Sequence, residues 1–386
     1  MKQIDWHYKR PELAVRYLKS VGLSPISRIA LLGVRRIGKT AFLLKDLAPK
    51  ASELGFLPVY LNIWENEESP QEHIIVTLER YISSIKSNTK HSLKDLLASE
   101  VKKLDINLGV IKATVDISTA HSTVTPSEIS QISEQIKEII RLARELDKRP
   151  LFIIDEVQIL NSCEKFLAIQ SCLRTNFDTF DEICAIYAGS SRAGVAAMFN
   201  QKEAEVLSGE KFAKREMPFY NSASLVELPH LETECIDFFR GVLIDRFAID
   251  CSKKELSDAF RDLDYSPFWL RMLLTEMTAN MQDVESAMKT IKGKIEVDGA
   301  LDYITANLNK LDKLVYLRLH GTRSKYSQED MQYYSDNMGK GVKKSSVQNA
   351  ISKLKRLKLV TEYDAGMFFE KAGLKAYIEK DLESPA

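Results

Sequence analysis

Apolar residues recur along this chain at two different periods, and the changes from one to the other mark out its elements. From Tyr8 to Val21 the spacing is helical, with Leu13, Ala14, Tyr17 and Leu18 on one side. Ile29–Leu32 is a continuous apolar run that meets Gly33, the pattern of a buried strand entering a turn. Helical spacing resumes over Thr40–Lys45, and Leu57–Asn62 reads as a second strand. Ser69-Pro70-Gln71-Glu72 has the form of a capping box with proline in the first turn, and it predicts a helix carrying Ile74, Ile75, Leu78, Ile82 and Ile85. Thr125-Pro126-Ser127-Glu128 repeats that signal ahead of Ile129, Ile132, Ile136, Ile139 and Ile140. Pro150 is expected to end the helix, and Leu151–Ile154 then forms a fully apolar strand. A helix around Phe166–Leu173 and a strand over Ile183–Ala188 follow. Between the two capping signals, Leu104–Ile117 alternates polar and apolar residues around Gly109, which predicts a hairpin inside an insertion spanning 87–124.

Apolar strands alternating with amphipathic helices predict an α/β fold, a parallel sheet covered on both faces, over residues 1–230. Beyond Leu231 four helical stretches follow: Glu234–Phe247, Lys253–Leu263, Phe268–Met281 and Val284–Ile295. A helical unit is therefore expected over 231–303. The remainder, 304–386, changes again. Leu308, Leu311, Leu314 and Val315 mark one helix, Ser327–Asp330 opens a second, and Ser345-Ser346-Val347 opens a third with Val347, Ile351, Leu354 and Leu357 inward. Leu359–Tyr363, the turn Asp364-Ala365-Gly366 and Met367–Phe369 read as a β-hairpin, and three helices followed by a hairpin is the order of a winged helix.

Charge adds a local feature rather than a global one. Lys+Arg and Asp+Glu both total 54, so no overall basic field advertises nucleic acid. Between Lys340 and Lys358, however, Lys343, Lys344, Lys353, Lys355 and Arg356 occur without any acidic residue. This stretch fits phosphate contact in a DNA groove, and equally the solvated face of a module packed on its neighbour. The opening residues carry no apolar run behind their charges, and no stretch approaches the roughly 18–20 apolar residues of a membrane span. The cytoplasm is the expected compartment. Cys163, Cys172, Cys184, Cys235 and Cys251 form no CxxC pair and read as free thiols, and the six histidines have no metal-ligand spacing.

The chemistry lies in two segments. Gly33-Val34-Arg35-Arg36-Ile37-Gly38-Lys39-Thr40 fits the phosphate-loop pattern GxxxxGK[ST] and sits between an apolar strand and a helix. Its glycines let backbone N–H groups curl around phosphate oxygens, and the helix entered through Thr40 and Ala41 aims its N-terminal dipole at the same anion. Lys39 reaches the β- and γ-phosphates, and Thr40 offers a hydroxyl to Mg2+. Downstream, the strand Leu151–Ile154 ends in Asp155-Glu156. A buried parallel strand exposes carboxylates at its C-terminal end, where ligands bind. Asp155 is thus expected in the Mg2+ shell, and Glu156 as the group that polarises the attacking water. The strand ending in Gly189-Ser190-Ser191 would bring Ser190 or Ser191 to the γ-phosphate if it neighbours the Asp155 strand, and a plain Ser/Gly turn is the other reading. A nucleoside triphosphate and Mg2+ are the expected ligands.

Together these motifs resemble the archaeal-type ATPases, a group allied to the AAA+ and STAND P-loop NTPases. The likeness continues in Arg10-Pro11-Glu12-Leu13, similar to a segment that lies near adenine, in Met217–Tyr220 with Leu228–Leu231, and in Ser266-Pro267-Phe268 at the start of a lid helix. The resemblance implies a P-loop NTPase core with a helical lid and a C-terminal winged-helix domain, Mg2+-dependent ATP hydrolysis, and a lid that moves with nucleotide state. It further implies a switch acting on a macromolecular partner, with a DNA-binding ATPase and a STAND-like scaffold of little turnover as alternatives. The partner is DNA through the Lys340–Lys358 region, another protein, or a second copy. The chain departs from the pattern at Asn221-Ser222, where Gly-Arg is usual. Lys214, Arg215, Arg192 and Arg271 are the alternative sensor cations.

Overall fold

Five parallel strands form the centre of the computed structural model, which describes residues 5–23, 27–87, 92–107, 123–200, 217–319, 326–363, 366–371 and 373–383. They are β1 (Arg28–Leu32), β2 (Phe56–Asn62), β3 (Arg149–Asp155), β4 (Cys184–Ala188) and β5 (Ser224–Glu227), and lie side by side in the order β2-β3-β4-β1-β5. Four correspond to the apolar runs. β5 does not: it is an edge strand with Ser224 exposed and Leu225–Glu227 half-buried, so it has no continuous hydrophobic signature.

Parallel neighbours need crossover connections, and helices supply them on both faces. On one face lie α1 (Pro11–Leu23), α2 (Lys39–Phe42) and α3 (Ala48–Glu53), the last two joined by a π-helical turn over Leu43–Leu47. There Tyr60, Leu151, Ile153, Ile186, Ile29 and Leu31 meet them. The alternate residues Leu57, Val59, Leu61, Phe152, Ile154 and Tyr187 point the other way, against α4 (Pro70–Lys86), α6 (Pro126–Glu145), α7 (Leu167–Thr179) and α8 (Arg192–Phe199). The period-two division of buried residues is what fixes the register of each strand.

Local expectations fare unevenly. Thr125 and Glu128 form the reciprocal capping box. Ser69 stands at the N-cap of α4, but its backbone (φ −138°, ψ 63°) is not extended and its hydroxyl makes no cap bond. Pro150 does not precede the strand; it lies within β3, opposite Leu57, near the strand's start. The predicted hairpin is also corrected in its first part: Leu104–Asn107 close α5 (Ser92–Asn107), where Leu97, Val101 and Leu104 fall at helical spacing against the core. The rest of the segment, 108–117, lies outside the described residues.

Beyond the sheet come α9 (Cys235–Phe247), α10 (Lys253–Asp262), α11 (Pro267–Asn280), α12 (Val284–Gly299) and α13 (Leu301–Ala306), the helical lid. The winged helix consists of α14 (Lys310–Arg318), α15 (Gln328–Met338), α16 (Lys344–Arg356) and the antiparallel hairpin β6 (Val360–Tyr363) and β7 (Gly366–Phe369). It is followed by α17 (Leu374–Glu383). A single hydrophobic core runs through lid and winged helix, from Trp269 and Leu273 to Tyr316, Ile351 and Leu354.

Candidate nucleotide site

The loop after β1 is shaped by left-handed backbone. Arg36 (φ 72°) and Gly38 (φ 88°) both adopt it, giving the concave main chain that turns N–H groups inward. A Cβ at Gly33 would stand 3.1 Å from Ile37 Cγ2, close enough that the isoleucine would have to give way by a few tenths of an ångström. Lys39 is 6% exposed and donates to the carbonyls of Gly33 (2.5 Å) and Val34 (2.8 Å). Burial lowers its pKa to about 8, against the pull of Glu156 and Asp155.

The register Ile154↔Tyr187 sets the tips of β3 and β4 side by side, as the γ-phosphate expectation for Ser190 required. Asp155 is 1% exposed. Its Oδ2 accepts from Thr40 Oγ1 (2.7 Å) and from Tyr60 Oη (3.1 Å), and its Oδ1 from the Glu156 amide (3.0 Å). Burial first, and then the Glu156 charge, push its pKa up to about 6. Glu156 itself has φ 56°, a left-handed conformation that costs a non-glycine residue about 1 kcal/mol or more. Its Oε2 accepts from Gln158 Nε2 (2.6 Å), Ser190 Oγ (2.8 Å) and the Ser190 amide (3.1 Å).

A cavity of about 390 Å³ opens over these groups. The loop from Arg35 through Arg36, Ile37, Gly38, Lys39 and Thr40 to Ala41 lines it, together with Asp155, Glu156 and Ser190. Gly33 and Val34 stand behind, as the carbonyl partners of Lys39. Sequence reasoning missed the aromatic part of the wall, Trp6, Tyr8, Phe239 and Phe268. The available signal was the pair of aromatics in the polar stretch before Arg10.

Among the sensor candidates, Arg271 on α11 faces the cavity. Arg192 does not: it is 3% exposed, ion-paired with Glu227, and donates to the carbonyl of Phe369 in the wing (3.0 Å). Lys214 and Arg215 lie outside the described residues. Arg36 is turned to the lid, its guanidinium 4.4 Å from the Phe268 ring centroid and 4.7 Å from that of Trp269, while its carbonyl accepts from Ser266 Oγ (3.3 Å). Ser266 caps α11 by accepting from the Trp269 amide.

The donor set suits Mg2+. That ion takes one or two protein oxygens, keeps several waters and completes its octahedron with substrate phosphates, and Thr40 Oγ1 with Asp155 Oδ2 is such a pair at the mouth of an anion cradle. No group of three or more His, Cys, Asp or Glu placed to hold a metal ion occurs among the described residues. No helix among them is long and apolar enough to cross a membrane.

The cationic stretch near the C-terminus divides by face. Lys340, Lys343, Lys344, Arg356 and Lys358 are exposed. Lys353 is not part of that surface: its Nζ lies 2.6 Å from Asp312 Oδ2, a carboxylate 3% exposed at the start of α14. It sits beside Leu354 on the margin of the apolar stripe, which turns its head inward.

A glycine loop between β1 and α2, an acidic tip on β3, the strand order β2-β3-β4-β1-β5, a helical lid and a winged helix define a P-loop NTPase fold. Comparison with known proteins agrees at the level of fold. A Walker-type ATPase of Pyrococcus abyssi overlays with a TM-score of 0.56 at 17% identity, covering 96% of this chain and 95% of that one. The ORC1 protein of Aeropyrum pernix in complex with DNA gives 0.41 at 14%, covering 98% and 93%. The ORC2 protein of that organism gives 0.44 at 14%, covering 96% and 92%. No protein-family model and no curated protein matches the chain.

Proposed function

We propose that this chain binds Mg2+·ATP, hydrolyses it, and passes the state of the nucleotide to its lid and winged helix. The observation that carries the reading is the 2.7 Å bond from Thr40 to Asp155, which joins the phosphate loop to the acidic strand tip as one site. In this reading the loop amides hold the phosphates, Lys39 neutralises them, and Thr40 with Asp155 holds the ion. When bound, Mg2+ would supply positive charge that stabilises the charge developing on the phosphoryl group. Glu156 orients and polarises the attacking water. Its carboxylate is held by Ser190 and Gln158, so a phosphate that engages Ser190 would remove one of the partners that hold it. The aromatic wall takes the base, and Arg271 brings the lid to the phosphates.

Contacts between the parts support the coupling. Ser266 and Arg36 tie the lid to the phosphate loop, and Arg192, two residues after Ser190, ties the wing to the core. The test is turnover by the purified chain. Glu156→Gln is expected to lower kcat by about 100-fold or more while ATP still binds, the loss typical of removing a general base. Absence of multiple turnover in the parent protein would instead favour a nucleotide-binding scaffold. A second reading, in which the partner is DNA, is favoured by the exposed cations of α16 and its flanks, and the salt dependence of duplex affinity tests it.

A further inference from the structure

We propose that Tyr60 is a positioning residue for the metal-binding carboxylate. Its hydroxyl holds Asp155 in the orientation that Mg2+ requires, and so sets the affinity of the nucleotide complex for the ion. The inference rests on the Mg2+·ATP reading above.

The placement follows from register. β2 pairs with β3 so that Tyr60 faces Ile153 and Asn62 faces Asp155. Paired residues of parallel strands share a side of the sheet, so Tyr60 and Asp155 project to the same face, two residues apart along the strand. That offset is roughly 6.6 Å, a rise that a phenol can cross and that a serine or threonine hydroxyl cannot. Tyr60 accordingly delivers its Oη to Asp155 Oδ2 at 3.1 Å, the oxygen that also receives Thr40 Oγ1. With the Glu156 amide on Oδ1, three donors fix both carboxylate oxygens.

Two further observations set this hydroxyl apart from an incidental one. Tyr60 is 2% exposed, among Ile153, Leu44 and Phe56, and Asp155 is 1% exposed, so water has little access to replace a lost donor. Burying a phenolic oxygen in such a core costs free energy that phenylalanine would avoid, unless a partner is present, and the partner here is Asp155. The backbone N–H of Tyr60, on the open side of an edge strand, is satisfied separately by Tyr81 Oη at 3.0 Å. The side-chain hydroxyl therefore has no part in sealing the edge. Donors behind a metal-binding carboxylate orient it and tune its basicity, and their loss usually costs about 10–100-fold in metal affinity.

The experiment is calorimetric titration of the full chain with a non-hydrolysable ATP analogue across a range of Mg2+ concentrations. Tyr60→Phe is expected to raise the half-saturating Mg2+ concentration about tenfold, while affinity for the analogue without Mg2+ stays within about twofold of the parent. Tyr81→Phe, which removes an equally buried hydroxyl that does not touch Asp155, is expected to lower thermal stability and leave the Mg2+ midpoint in place. A folded Tyr60→Phe protein with an unmoved midpoint would reduce Tyr60 to a core residue and overturn the proposal. Should that variant not fold, 3-fluorotyrosine at position 60 keeps the shape and strengthens the donor: a shift to tighter Mg2+ supports the proposal, and no shift overturns it. Asp155→Asn, run alongside, separates the two layers. If it too leaves the midpoint unmoved, the metal reading itself fails; if it shifts and Tyr60→Phe does not, only the role of Tyr60 is lost.

Discussion

Burial moves the proton affinities of Asp155 and Lys39 toward each other, to about 6 and about 8. For Asp155 the unfolded chain releases its proton near 4 and the folded chain near 6. Between those values the folded state binds more protons, and stability falls as pH rises through the window. For Lys39 the order is reversed. The folded group deprotonates near 8 and the unfolded one near 10.5, so the unfolded state binds more protons and stability climbs with pH across that interval. From about pH 6 to 8 the ligand-free site therefore carries both charges at a cost. Asp155→Asn is expected to abolish this fall in stability between about pH 4 and 6, as read by denaturant unfolding without ligand. The same protonation is expected to weaken Mg2+-dependent nucleotide binding as pH drops below about 6. Lys39, Thr40 and Asp155 were legible because each stands at a fixed offset from an apolar strand. Tyr60 and Gln158 were not, since their roles depend on which strands lie side by side.

Along single elements, period decided what could be read. The helix Pro126–Glu145 announced both its start and its buried stripe, whereas Leu104–Asn107 satisfied an alternating pattern and a helical one, and the alignment of Leu104 with Leu97 and Val101 against the core chose the helix. β5 was invisible because an edge strand with half-buried residues needs no apolar run. In α16 the cations looked equivalent along the sequence, but Val347, Ala350, Ile351 and Leu354 form the buried face and Lys353 borders it. Removing Lys353 leaves Asp312 buried without its ion partner, so Lys353→Ala is expected to cost about 2 kcal/mol in urea unfolding. Lys344→Glu with Arg356→Glu lies on the exposed side and is expected to leave folding within about 0.5 kcal/mol. The same pair is expected to flatten the dependence of duplex-DNA affinity on salt by about two counterions if DNA is the partner.

Across the whole molecule, one guanidinium links three parts. Arg192 opens α8 just after the β4 tip, pairs with Glu227 on β5, and holds the carbonyl of Phe369 in the wing, with Glu370 3.8 Å away. Arg192→Gln is expected to raise hydrogen exchange of the wing amides over Val360–Phe369 severalfold while the lid helix Pro267–Asn280 stays protected. Unchanged wing protection would mean that the hairpin is held by its own packing, such as the stack of Tyr316 on Phe369. The order of sheet, helices and hairpin was legible from the change in hydrophobic period, but this junction was not, because it joins residues far apart in the chain.

The hydrophobic core common to the lid and the winged helix has a mechanical consequence. Two modules that interdigitate through close-packed side chains cannot swivel against each other without opening a void. They form one packed body, which meets the phosphate loop at Ser266 and the sheet domain at Arg192. A displacement of that body would have to break both contacts together.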